Sequence, residues 1–130
     1  MSIEVTHDQS KGILYISTGG DFTINEFIES LKSILSSPDY PPHINTIWDI
    51  SQLSFNQIDS QFETSLVRIL EQNPERASAM TAMVVDSNVG YGMARMFQSL
   101  YNQKDLPQRF SVFRNYADAE AWLLKKLVLS

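Results

Sequence analysis

Two apolar runs in this 130-residue chain end in an acidic residue followed closely by a serine. One reads Thr46-Ile47-Trp48-Asp49-Ile50-Ser51, the other Ala82-Met83-Val84-Val85-Asp86-Ser87. Carboxylates at strand ends can bind a metal, accept a phosphoryl group or act as a general base. Asp and Ser at such positions also cap the turn or helix that follows. If the runs are parallel neighbours, Asp49, Ser51, Asp86 and Ser87 share the carboxyl edge of one sheet. Open α/β folds place their sites at that edge.

A stretch rich in small residues follows the second run: Ser87-Asn88-Val89-Gly90-Tyr91-Gly92-Met93-Ala94-Arg95. Amides at the start of a helix there would face an anion, with Arg95 about one turn in. The spacing matches neither the dinucleotide fingerprint nor a phosphate loop with its Lys-Ser/Thr. The alternative is a tight, capped turn with Tyr91 partly exposed. His7 and His43 form no ligand pair at i, i+4, so no metal is expected. No nucleophile elbow is present. A receiver domain would need an acidic pair after its first strand and a lysine after its fifth. Here the first strand leads into a hairpin, and Arg114-Asn115 follows the last.

The elements that must position these residues alternate between strand and helix. Ile3 and Val5 alternate with Glu4 and Thr6, as in a half-exposed edge strand. Turn chemistry over Asp8 to Gly12 leads into Ile13-Leu14-Tyr15-Ile16-Ser17, which predicts an antiparallel hairpin. Gly19-Gly20 reads as a break. Thr23-Ile24-Asn25-Glu26 reads as a capping box, opening a helix with Ile24, Phe27, Ile28, Leu31, Ile34 and Leu35 on one stripe. Pro38, Pro41 and Pro42 close it. A third strand is expected near 45–50 and a helix near 57–72, with Ile58, Phe62, Leu66, Ile69 and Leu70 inward. A nearly continuous apolar run near 80–85 predicts a strand covered on both faces. The next helix, from about Val89, is expected to present Val89, Met93, Met96, Phe97, Leu100 and Tyr101. A strand from Phe110 to Phe113 and a helix from about Ala117 to Leu127 complete the order ββαβαβαβα. That order implies an α/β fold with a mainly parallel five-stranded sheet, one antiparallel edge strand and four helices.

Composition sets the outer limits. The chain is the length of one ordinary domain, and roughly 65–70% of its surface can be buried on folding. Its hydrophobic share of 43% and charged share of 19% are those of a globular protein. The absence of cysteine excludes disulfides and thiolate chemistry and suits a cytoplasmic setting. The amino end shows no signal-peptide pattern, and no apolar run approaches the ~20 residues that span a bilayer. Residues 1–87 hold 4 basic and 12 acidic residues, a net −8, which disfavours nucleic acid as a partner. Residues 88–130 carry a net +3, read as a solvated face.

Several segments carry a family resemblance over nearly the whole chain. They are Thr23-Ile24-Asn25-Glu26-Phe27, Ile47-Trp48-Asp49-Ile50, Tyr91-Gly92-Met93-Ala94-Arg95-Met96, Val112-Phe113-Arg114-Asn115 and Ala119-Glu120-Ala121-Trp122-Leu123. With this strand order, they resemble the SpoIIAA-like proteins, a STAS-related family also grouped with CRAL-TRIO lipid-transfer domains. The resemblance implies a single STAS-like domain over residues 1–130, bacterial and non-enzymatic, acting in regulation or ligand binding without a cofactor. In anti-sigma-factor antagonists of this kind, Asp-Leu-Ser-Gly leads to Asp-Ser-Ser-Gly, where one serine is phosphorylated. Asp49-Ile50-Ser51-Gln52-Leu53-Ser54-Phe55 matches the approach, and Gln57-Ile58-Asp59-Ser60 then occupies the switch. Asp59 stands where the phosphoacceptor would be, and Ser60 takes that role only if a gap is allowed.

Three readings remain in play. A binding module would recognise a protein partner or a small apolar or anionic ligand through Asp49, Ser51, Ser54, Phe55, Asp59, Asp86, Ser87, Tyr91 and Arg95. A small enzyme would use Asp49 and Asp86 with an anion held near Gly90 to Arg95. An assembly subunit would form a homodimer through the last helix, whose Trp122, Leu123, Leu124, Leu127, Val128 and Leu129 cover more than one stripe.

Overall fold

Alternation along Ile13-Leu14-Tyr15-Ile16 sends Ile13 and Tyr15 to one face of a sheet and Leu14 and Ile16 to the other. The computed structural model describes residues 2–20, 24–40, 44–53, 59–72, 80–103 and 109–129, and it bears this division out. Five strands form one sheet in the order β1-β2-β3-β4-β5. They are β1 (Ser2–Asp8), β2 (Ile13–Gly20), β3 (Asn45–Leu53), β4 (Met80–Val84) and β5 (Arg109–Phe113). β1 and β2 pair antiparallel, and every later pair is parallel. The helices are α1 (Ile24–Ser36), α2 (Ser60–Glu71), α3 (Asn88–Asn102) and α4 (Tyr116–Leu129).

Local chemistry fixes the hairpin. Asp8 Oδ1 accepts from the amides of Ser10 and Lys11 at 3.0 and 3.2 Å, closing an Asx turn. Gly12 then takes a φ of 66°, a conformation that a side chain would strain, and its amide donates to the Asp8 carbonyl.

Strand order decides where the helices go. Right-handed crossovers between parallel strands added in one direction place every connecting helix on the same face. Residues of α1, α2 and α3 accordingly share one face of the sheet with Leu14, Ile16, Trp48 and Met83. α4 follows the last strand and packs on the other face, where Ala119 and Leu123 are buried against Ile13, Ile47, Ala82 and Val84. β4 is buried from Thr81 to Val84, as its apolar run predicts for a strand covered on both faces.

Three expectations need correction. Gly19-Gly20 does not break the chain: both residues continue β2 and pair with Gln52 and Leu53 of a β3 that extends to Leu53. Backbone pairing holds these polar and glycine positions, which carry no apolar signal. α3 leaves Val89 66% and Met96 54% exposed. Its buried stripe is Gly90, Ala94, Phe97 and Tyr101. α2 starts at Ser60 rather than near residue 57, because Asp59 is its N-cap. The capping box at Thr23, the prolines at 41 and 42 and the inward Ile58 lie outside the described residues.

Candidate functional site

Asp49 sits at a register shift. Ser17 pairs with Asp49 and Gly19 with Gln52, so β3 carries one more residue than β2 across this interval. Asp49 fastens the bulged turn itself: its Oδ1 accepts from the amide and the hydroxyl of Ser51 at 3.0 and 2.5 Å. Its Oδ2 accepts from the Tyr116 hydroxyl at 2.7 Å. Partial burial raises the carboxyl's pKa, but the hydrogen bonds from Ser51 and Tyr116 outweigh it and hold the group below its ordinary range.

A polar brace extends from there. Tyr116 stacks on Tyr15 at 6.4 Å, the Tyr15 hydroxyl donates to Glu120 Oε1 at 2.6 Å, and Lys11 Nζ lies 3.5 Å from Glu120. Burial, then the carboxylate acceptors, push both tyrosines well above their ordinary range. Their hydroxyls stay protonated donors that pin the start of α4 to β2 and β3.

The other acidic and hydroxyl candidates act mainly as caps. Asp59 accepts from the Phe62 amide at 2.8 Å and caps α2. Ser87 accepts from the Gly90 amide at 2.9 Å and caps α3. Asp86 is exposed, two residues beyond Val84, the β4 partner of Asp49. Tyr91 is half-buried with the Arg114 guanidinium 4.6 Å over its ring, and Arg95 is exposed. Ser60 opens α2, while Ser54 and Phe55 lie outside the described residues. Among the described candidates the structure thus joins Asp49 to Ser51 and leaves Asp59, Ser87, Asp86, Tyr91 and Arg95 without a shared contact to that pair. Among the described residues no cluster of three His, Asp or Glu side chains is arranged to hold a metal.

A concavity lies on the opposite face of the sheet. A cavity of about 140 Å³ opens between the sheet and helices α1, α2 and α3. Leu14, Ile16, Trp48, Ile50 and Met83 form its floor. Phe27, Leu31, Ile34 and Leu35 of α1, Phe62, Leu66 and Leu70 of α2, and Met93, Ala94 and Phe97 of α3 wall it. Phe27 meets Phe62 at 5.4 Å and Trp48 at 5.9 Å, an aromatic corner where α1, α2 and β3 converge.

One charged residue type enters this apolar lining. Glu63 lines the cavity, is 2% exposed, and neither carboxylate oxygen has a hydrogen-bond partner among the described residues. A capping-box glutamate would stand three residues after the cap. Glu63 stands four after Asp59, and only its backbone amide turns back, donating to the Asp59 carbonyl at 3.1 Å. Burial, and then the Asp59 charge, raise the carboxyl above its ordinary range. The sequence holds a signal for it: Glu63 shares helical spacing with Leu66, Val67 and Leu70, so it falls on the apolar stripe of α2.

No protein-family model matches the chain, and no curated protein matches it. A solved structure does. An uncharacterized protein of the DUF3478 family with a SpoIIAA-like fold, from Shewanella loihica PV-4, aligns at a TM-score of 0.59 and 18% identity. The alignment covers 94% of this chain and 92% of that one. The chain therefore has a SpoIIAA-like fold, as the family resemblance implies. Among the described residues no helix is long and apolar enough to cross a membrane.

Proposed function

We propose that this chain is a non-enzymatic binding module that holds a compact, largely apolar molecule between its sheet and α1–α3. The observation that carries this reading is the cavity of about 140 Å³ with its nearly continuous aliphatic and aromatic lining. Its size is close to that of an engineered apolar cavity of about 150 Å³ that takes up benzene. Apolar walls that face such a space without partner atoms forgo packing contacts that an occupant would supply. An occupant therefore stabilises the native state by mass action. The non-enzymatic part of the reading is supported by the polar groups on the wall: among the described residues neither Glu63 oxygen accepts from the hydroxyl of Thr46 or Thr81, so the three form no nucleophile–base pair.

Gently purified protein should release a small apolar molecule on organic extraction, identified by mass spectrometry. Trp48 lines the cavity, so its emission should respond to ethylbenzene, and Leu66→Phe should blunt that response by filling the space. Protein that yields no extractable molecule and gives no Trp48 response overturns the reading.

A further inference from the structure

Glu63 is unlike every other polar group on the cavity wall. The Thr46 hydroxyl donates to the Ile44 carbonyl at 3.3 Å, and Thr81 also has a partner. Glu63 offers two unpartnered oxygens inside apolar walls, and no Lys, Arg or His lies within ion-pair distance of it among the described residues. Such a group is costly to bury unless something bonds to it.

Resting on the binding-module reading above, we propose that Glu63 selects the ligand: a compact apolar molecule carrying one uncharged hydrogen-bonding head, a hydroxyl or carbonyl, bound by the Glu63 carboxyl. The charge state follows from the surroundings. Burial, reinforced by the Asp59 carboxylate, favours the protonated acid. A protonated carboxyl presents one donor and one acceptor side by side, which a hydroxyl or carbonyl head can satisfy. An anionic head beside the acid would be desolvated with no cation among the described residues of the cavity wall to neutralise it. A cationic head would require two ions to be desolvated in an apolar cavity. The volume is close to that of cavities that admit benzene and suits a ligand of roughly six to ten non-hydrogen atoms.

Calorimetric titration of the full chain with two probes of equal heavy-atom count, ethylbenzene and benzyl alcohol, tests this. In the wild type both should bind. Glu63→Leu should weaken benzyl alcohol at least tenfold while leaving ethylbenzene unchanged or tighter. Glu63→Gln keeps a donor and an acceptor, so benzyl alcohol should stay within a few-fold of wild type. Raising the pH should weaken benzyl alcohol binding to the wild type and leave the Gln variant unaffected. Equal losses of both probes in Glu63→Leu, or tighter binding of benzylamine than of benzyl alcohol, overturn the head-group assignment alone. If neither probe binds the wild type, the binding-module reading falls, and the assignment with it.

Discussion

The Tyr116 hydroxyl donates to Asp49 Oδ2 at 2.7 Å, joining residues 67 apart in sequence. That contact ties the first residue of α4 to the bulge in β3, on the face of the sheet away from the cavity. An acidic strand end that resembles a catalytic group thereby becomes part of a brace. Among the described residues, a buried carboxyl without a partner lies on the other face, in Glu63.

The brace predicts a pH-dependent loss. Tyr116→Phe should lower stability at neutral pH by about 1 kcal/mol, the net worth of one partly exposed hydrogen bond. Urea denaturation should show a lower midpoint with an unchanged slope. Asp49 is held below its unfolded value, so its contribution is present above that value and lost as pH falls through the folded one. The gap between wild type and Tyr116→Phe should therefore shrink as the pH falls below the ordinary carboxylate range. Identical midpoints at pH 7 would show that the brace does not stabilise the fold.

Asp59 plays two parts that substitution can separate. Asp59→Ala removes the cap of α2 and should cost about 1 kcal/mol; Ser87→Ala should cost a similar amount at α3. Asp59→Asn keeps an acceptor for the Phe62 amide but removes the charge near Glu63. Carbon-detected NMR should then show Glu63 titrating lower than in wild type. It should remain above the ordinary range, because burial is the larger cause. An unmoved titration would mean that Asp59 exerts no electrostatic effect on the cavity.

Glu63 should impose the opposite pH trend from Asp49. Its folded pKa is raised, so its contribution is fully present below the unfolded value and lost as pH rises through the folded one. Glu63→Leu removes the unpartnered carboxyl and should raise stability by about 1–3 kcal/mol. The gain should be larger at about pH 8 than at acidic pH, where the acid is neutral in both states. Unfolding free energies measured in urea at both values check this. A gain independent of pH would contradict the raised titration.

How legible these features were differed by residue. The hairpin followed from turn chemistry at Asp8 and Gly12, and β4 from an uninterrupted apolar run, because both signals are local. α3 was legible as a helix but not in its orientation. Val89 and Met96 are large and apolar yet exposed, while Gly90 and Ala94 are buried with Phe97 and Tyr101, so residue size does not reveal which face turns to the core. Glu63 lay in view on the stripe of Leu66, Val67 and Leu70, where a carboxylate is ordinarily read as solvent-facing.

By itself, the sequence determined the element order and the antiparallel edge, since each depends on neighbours within a turn or a strand. Tertiary structure alone decided which carboxyl is satisfied and which is not. Asp49 finds Tyr116 only when α4 crosses to its face of the sheet. Glu63 enters an apolar cavity only when three helices gather on the other face. Partnering and burial arise between distant segments, and a local pattern does not encode them.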